Sequence, residues 1–135
     1  MGISTVSEER IDQEDSYRVL VVDDNQALAT VVAQTLEHID EGLQATYTTD
    51  PERALTRLRE ESIDCLIADY EMPELDGLAL AAADDTDTPF IIYTQRRDTS
   101  VERDVREQGG EFLVKQTGPE QYHQLAEFVR EQVAD

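Results

Sequence analysis

Positive charge is scarce in this sequence. Ten arginines, one lysine (Lys115) and two histidines stand against 31 acidic residues in a chain of 135, giving a formal net charge of −20. A surface of that sign repels phosphate backbones and anionic lipid, which argues against direct binding of DNA or RNA and against a membrane-surface role. Cysteine occurs once, as Cys65, so no disulfide can form within the chain and the sequence reads as intracellular. The place of Cys65 inside the apolar run IDCLIAD points to a buried structural thiol rather than a nucleophile. No basic-then-apolar leader opens the chain and no apolar run reaches spanning length, so a cytoplasmic location is expected. Internal repeats and low-complexity tracts are missing as well. The length admits one domain with a real core, not two ordinary ones.

Acid excess with almost no lysine suggests a halophilic protein, adapted to a salty cytoplasm where a Debye length of about 3 Å at 1 M salt screens self-repulsion. Stability against denaturant is then expected to rise between low and molar KCl; a flat response would remove the inference.

What is present is regular. Hydrophobic residues make up 39% of the chain and fall into discrete runs, which speaks for a folded domain rather than acidic disorder. Residues 1–16 are polar, acidic and without periodicity, and are expected to form a flexible extension. From Tyr17 onward strand and helix patterns alternate. YRVLVV (17–22) is a β-branched apolar run of the kind covered on both faces. Leu28, Val31, Val32, Thr35, Leu36 and Ile39 recur at helical spacing before Gly42. LQATYT (43–48) alternates like a strand, and Asp50 and Pro51 give the next helix its N-cap and first turn. IDCLIA (63–68), PFIIY (89–93) and EFLV (111–114) are further strands. GLALAAA at Gly77, DTSVERDVREQGG, and a segment opened by Pro119 with Tyr122, Leu125, Ala126, Phe128, Val129 and Val133 on one face are the remaining helices. Five β–α units at this spacing imply an α/β fold, a doubly wound parallel sheet with right-handed crossovers and helices on both faces.

In such a sheet, ligands bind beyond the carboxyl ends of the strands. Asp23 and Asp24 follow the first strand, Asp69 the third, Thr94 the fourth and Lys115 the fifth. Each alone has an ordinary role open to it: helix capping for Asp23 and Asp24, a loop position for Asp69, a turn hydroxyl for Thr94, a solvated ammonium for Lys115. Together they put three carboxylates, a hydroxyl and an ammonium on one edge. Packed carboxylates repel unless a cation sits among them. Hard oxygen ligands with open positions suit Mg²⁺, beside which a carboxylate can attack a phosphoryl donor and form an acyl phosphate.

The motifs VLVVDDN, CLIADYEMPELDGL, FIIYT and FLVK resemble those of the receiver domain of two-component response regulators, chemotaxis-regulator-like, and the likeness runs over roughly residues 17 to 133. The resemblance implies a receiver domain over 17–135 with a flavodoxin-like (βα)5 sheet of strand order 2-1-3-4-5. It implies that Asp69 is the phosphoacceptor, charged by a sensor histidine kinase or a histidine phosphotransfer protein. Asp24 would be a direct Mg²⁺ ligand, Asp23 would hold metal-bound water, and Asp69 and the backbone carbonyl of Glu71 would complete the protein's share of the metal shell. Thr94 and Lys115 would bind phosphoryl oxygens, with Phe112 as the aromatic switch residue. Glu71 and Arg96 stand where the family tunes dephosphorylation. Such a protein is a signalling switch, not a conventional enzyme, although it assists its own phosphorylation and dephosphorylation. Output is expected through a protein partner on the face of the fourth helix, fifth strand and fifth helix, which carries Arg103, Arg106 and Arg130, since no segment after residue 133 is long enough for a DNA-binding module.

Three departures stand out. Gln116 replaces the proline usual after the lysine, and a trans peptide is expected there because a non-proline cis bond costs about 2.5–4 kcal/mol. Gln95 replaces a small residue after the switch hydroxyl and is expected to crowd the acceptor. The stretch from Asp69 to Thr94 is short, so the third helix should be stubby. Gln95 and Gln116 also leave room for an alternative, a phosphorylation-independent scaffold of the same fold. A phosphatase of related aspartyl-phosphate chemistry would want an aspartate where Glu71 stands.

Overall fold

The computed structural model describes residues 16–133; the expected extension over residues 1–16 lies, but for Ser16, outside them. Five strands, β1 (Tyr17–Val22), β2 (Leu43–Thr48), β3 (Cys65–Ala68), β4 (Phe90–Thr94) and β5 (Glu111–Val114), alternate with five helices, α1 (Gln26–Ile39), α2 (Pro51–Glu60), α3 (Gly77–Ala83), α4 (Thr99–Glu107) and α5 (Glu120–Val133). All strand pairs are parallel, in the order β2-β1-β3-β4-β5. The expected fold is the observed one.

Strand periodicity decides which face each side chain joins. Val19, Val21, Cys65, Ile67, Ile91, Tyr93 and Leu113 point to one face and pack on Ala29, Val32, Ala33 and Leu36 of α1 and on Leu125, Ala126 and Val129 of α5. Their neighbours Leu20, Val22, Leu66, Ala68, Phe90, Ile92 and Phe112 point to the other, against Ala54 and Leu58 of α2, Leu80 of α3 and Val105 of α4. The central strands are therefore apolar without alternation, whereas edge strand β2 alternates buried and exposed along LQAT. Each fully buried leucine in these layers, such as Leu20, Leu36 or Leu66, contributes about 2 kcal/mol by leaving water.

Local chemistry sets the helix ends. Asn25, Asp50, Asp76 and Asp98 accept hydrogen bonds from first-turn amides of α1, α2, α3 and α4, and Pro51 occupies the first turn of α2, where no amide donor is needed. After α4, Gly109 takes φ +88°, a conformation open to glycine. Helix α3 has only seven residues, as the short spacing implied.

Two strand boundaries and one helix face differ from expectation. Strand β3 starts at Cys65 rather than residue 63, because the Asp64 carboxylate accepts the Arg18 amide at 2.8 Å and ends the ladder there. Strand β4 runs Phe90–Thr94, one residue later than expected; Pro89 has no amide and supplies only its carbonyl, to Leu66. In α1 the buried stripe is Ala29, Val32, Ala33 and Leu36, while Leu28 and Val31 are exposed.

Arg130 of α5 donates to both carboxylate oxygens of Asp40, at 2.7 Å each, and its guanidinium lies 5.4 Å from the Tyr17 ring centroid. This fork pins α5 to the end of α1. The Arg130 hydrogen bonds, outweighing desolvation and joined by the Gly42 amide, hold the Asp40 carboxyl below the ordinary aspartate value. A carboxyl lowered by folding stabilises the fold above its unfolded pKa of about 3.9, and that contribution is lost as pH falls through the folded value. Asp40→Asn is therefore expected to be less stable at neutral pH but to lose less stability below about pH 4 than the wild type, read from denaturant midpoints across pH. Parallel pH curves would show that the fork carries no such linkage.

Candidate functional site

Asp23 and Asp69 are brought together by the backbone. Beyond β1 the Asp23 amide donates to Thr48 at 3.3 Å, and beyond β3 the Asp69 amide donates to Val22 at 3.0 Å, so parallel pairing persists one residue past the strand ends. Capping duties fall on neighbours: Asn25 Oδ1 accepts the Leu28 amide at 3.1 Å and Asp76 Oδ1 the Ala79 amide at 2.7 Å. The carboxylates of Asp23, Asp24 and Asp69 are thereby free of the capping role. Asp23 instead accepts the Asn25 amide on Oδ1 at 2.9 Å, which leaves Oδ2 facing the site. Gly77 allows the close packing behind Asp69, since a Cβ there would lie 2.3 Å from the Asp69 carbonyl oxygen.

Lys115 enters from β5, its amide bonded to the Thr94 carbonyl at 2.7 Å. Its Nζ lies 3.0 Å from Asp23 Oδ2 and 3.4 Å from Asp69 Oδ2, with side-chain exposures of 13%, 7% and 15% for Lys115, Asp23 and Asp69. One carboxylate oxygen each from Asp23, Asp24 and Asp69 lie within 4.8 Å of one another. Asp23 is buried and Asp24 exposed, so the group opens to solvent on one side. Clustered hard oxygen donors with one open face fit Mg²⁺, which retains several waters.

Thr94 is the buried last residue of β4 and lines a cavity of about 150 Å³ together with Tyr70, Glu71, Arg96 and Val101. The Glu71 amide approaches Asp69 Oδ1 at 3.4 Å. Across the mouth, Arg96 Nη2 meets Glu71 Oε2 at 2.7 Å, both side chains mostly exposed at 80% and 60%, a geometry that contributes little to stability. Phe112 is buried against the α2–α4 face, in the same layer as Val105 and Leu80. The Lys115–Gln116 peptide is trans, as are the other described peptides.

The three arginines read as a partner surface have separate fates. Arg130 is engaged by Asp40, as above. Arg106 belongs to a ladder that runs from Arg97 to Glu102 (2.6 Å), to Arg106 (3.1 Å) and on to Glu111 of β5. Arg103 is exposed, with Asp104 at 3.8 Å.

Two residues of the neighbourhood have no motif to announce them. Tyr93 is buried on β4 with its ring 5.6 Å from Lys115 Nζ, and its hydroxyl donates to Gln121 Oε1. The available signal was that a tyrosine in an otherwise aliphatic strand needs a partner for its hydroxyl; nothing local identifies Gln121 as that partner.

A parallel 2-1-3-4-5 sheet with an acidic cluster and a lysine at its carboxyl edge defines a receiver-type α/β domain. The profile of the response regulator receiver domain matches residues 19–127, and the chain belongs to that family. It is 31% identical over 114 residues to the Probable transcriptional regulator ycf27 of Guillardia theta, covering 82% of this chain and 44% of the relative. It is also 31% identical over 107 residues to the Cyclic di-GMP phosphodiesterase response regulator RpfG of Xanthomonas campestris, covering 75% of this chain and 28% of the relative. The chain thus spans less than half the length of these curated relatives. Among solved structures, a Francisella response regulator receiver domain superposes with a TM-score of 0.75 at 24% identity, covering 87% of this chain and 97% of that one. Among the described residues no helix is long and apolar enough to cross a membrane.

Proposed function

We propose that this chain is a phosphoacceptor switch in which Asp69 takes a phosphoryl group from the phosphohistidine of a sensor kinase or phosphotransfer protein. The observation that carries the reading is the near-buried ammonium of Lys115 within 3.4 Å of carboxylates from two different strands, with a third aspartate in the same cluster. A structural ion pair needs one carboxylate; two on one ammonium, beside a third, leave a net negative pocket that a cation completes.

Asp23, Asp24 and Asp69, with the backbone carbonyl of Glu71, would hold the magnesium ion. When bound, magnesium neutralises charge on the incoming phosphoryl group. The chain's own groups do the rest. The Asp69 carboxylate attacks phosphorus as the P–N bond to the donor imidazole breaks, leaving an acyl phosphate on Asp69. Lys115, poised between Asp23 and Asp69, turns its Asp69-facing proton to a phosphoryl oxygen. Thr94 donates its hydroxyl to another from the floor of the cavity, and Phe112, in the layer shared with α4, repacks and carries the change to α4 and β5. The Glu71–Arg96 pair spans the mouth, restricts the water that would hydrolyse the acyl phosphate and lengthens its life.

Incubation with acetyl phosphate and Mg²⁺ is expected to add one phosphoryl group to the chain by mass, and chelation of the metal to prevent it. A folded chain that accepts no phosphoryl group and binds no beryllofluoride would leave the scaffold reading in its place.

A further inference from the structure

The loop that carries the chain from Lys115 to α5 contains nothing apolar to anchor it: Gln116, Thr117, Gly118 and Pro119 are all exposed. Its polar groups converge instead on one side chain. Gln121, in the first turn of α5, accepts the Gln116 amide on Oε1 at 3.1 Å, accepts the Tyr93 hydroxyl on the same oxygen, and donates from Nε2 to the Gly118 carbonyl at 3.0 Å. One amide side chain thus uses both acceptor sites of its oxygen and one of its two donors on three partners. Two of them lie in the loop, and the third lies on the buried strand β4 beside Lys115.

The two ends of this arrangement bracket the ammonium. Before the Lys115 side chain, the backbone is fixed by its own amide on the Thr94 carbonyl at 2.7 Å. After it, the next amide is fixed by Gln121. The Tyr93 ring, 5.6 Å from Nζ, is tied to the same glutamine through its hydroxyl, so ring and loop share one anchor. A proline at position 116 would have no amide for Gln121 to hold; the glutamine at 116 supplies that amide.

We infer that Gln121 is a positioning residue: it holds the backbone after Lys115 so that the ammonium stays between Asp23 and Asp69. The inference rests on the proposed role of Lys115 in binding the phosphoryl group, and its geometric core can be read without that role. Lys115 is the only lysine, so the full chain labelled with ¹³C-lysine gives a single ε-methylene cross-peak that reports its surroundings in metal-free buffer.

Gln121→Met, similar in length and unable to hold the loop, is expected to move that cross-peak toward the position of a freely solvated lysine. It is also expected to weaken beryllofluoride binding in Mg²⁺ roughly three- to tenfold, the scale of one or two hydrogen bonds. Gln121→Glu keeps the acceptor oxygen for the Gln116 amide and the Tyr93 hydroxyl but loses the donor to the Gly118 carbonyl, so its cross-peak should fall between those of the wild type and Gln121→Met. Tyr93→Phe keeps the ring and loses one of the three bonds, so its shift should lie between. A Gln121→Met chain with the wild-type cross-peak overturns the inference, whether or not its thermal stability drops, since a merely structural glutamine would lower Tm and leave the lysine where it is. If Gln121→Met does not fold, Tyr93→Phe decides the matter by the same signal. If wild type fails to bind beryllofluoride, the phosphoacceptor reading falls, and the cross-peak alone still settles what Gln121 does.

Discussion

Asp69→Asn is expected to reduce phosphoryl uptake from acetyl phosphate to background while leaving the fold intact. The amide retains the shape of the carboxylate but has no anionic oxygen with which to attack phosphorus, and one oxygen donor is lost from the cluster within 4.8 Å. Folding should be unaffected or improved in metal-free buffer. Lys115 keeps its closer partner, Asp23 at 3.0 Å, and one of three mutually repelling carboxylates is gone. Magnesium should then stabilise the variant less than it stabilises the wild type, because ligand-linked stabilisation scales with affinity. Intact-mass measurement after acetyl phosphate treatment, paired with thermal unfolding in magnesium and in chelator, reads both halves. A phosphorylated Asp69→Asn chain would move the acceptor elsewhere, with exposed Asp24 the first place to look.

How much of this was legible beforehand depends on whether the cause is local. The strand runs, the cap at Asp50, the stubby α3 and the convergence of Asp23, Asp69 and Lys115 on one edge follow from period, turn chemistry and the rule that parallel strands end together. The phase of α1 was misjudged because Ala29 and Ala33, which carry its buried stripe, rank as weakly apolar beside Leu28 and Val31. Helical spacing alone then favours the larger residues, although the sheet accepts the smaller ones. The ladder Arg97–Glu102–Arg106–Glu111 was half visible in its i,i+4 pair, yet its extension onto β5 depends on how α4 lies across the sheet. The Tyr93–Gln121 contact joins residues far apart in sequence through polar tips. No periodicity encodes such a pair, and only the packing of α5 over β4 produces it. In general, apolar period fixes which face a residue joins, and the hydrogen-bonding partner of a polar tip is settled later by helix placement.

Lys115→Met is expected to destabilise the metal-free chain by about 3 kcal/mol, the scale for removing one partner from a largely buried ionic group. The reason is geometric. Nζ is the cation within 3.4 Å of both Asp23 and Asp69, so its loss leaves two nearly buried carboxylates facing each other with Asp24 alongside. Magnesium can replace that charge, and saturating metal should return more stability to the variant than it adds to the wild type. Lys115→Arg separates charge from shape. It keeps a cation among the carboxylates and should lose less stability, but a planar fork suited to bidentate partners cannot serve two carboxylate oxygens and a phosphoryl oxygen as a compact ammonium does. Phosphorylation or its coupling to output should therefore fail in Lys115→Arg even though that variant is more stable than Lys115→Met. The double variant Asp69→Asn with Lys115→Met supplies the cycle: if the lysine's chief work in the resting chain is to balance the two carboxylates, removing Asp69 must give back a large part of what Lys115→Met costs. Strictly additive losses would mean that the ammonium stabilises the fold through its stem and the Tyr93 ring, and that the acidic pocket tolerates its own charge without it.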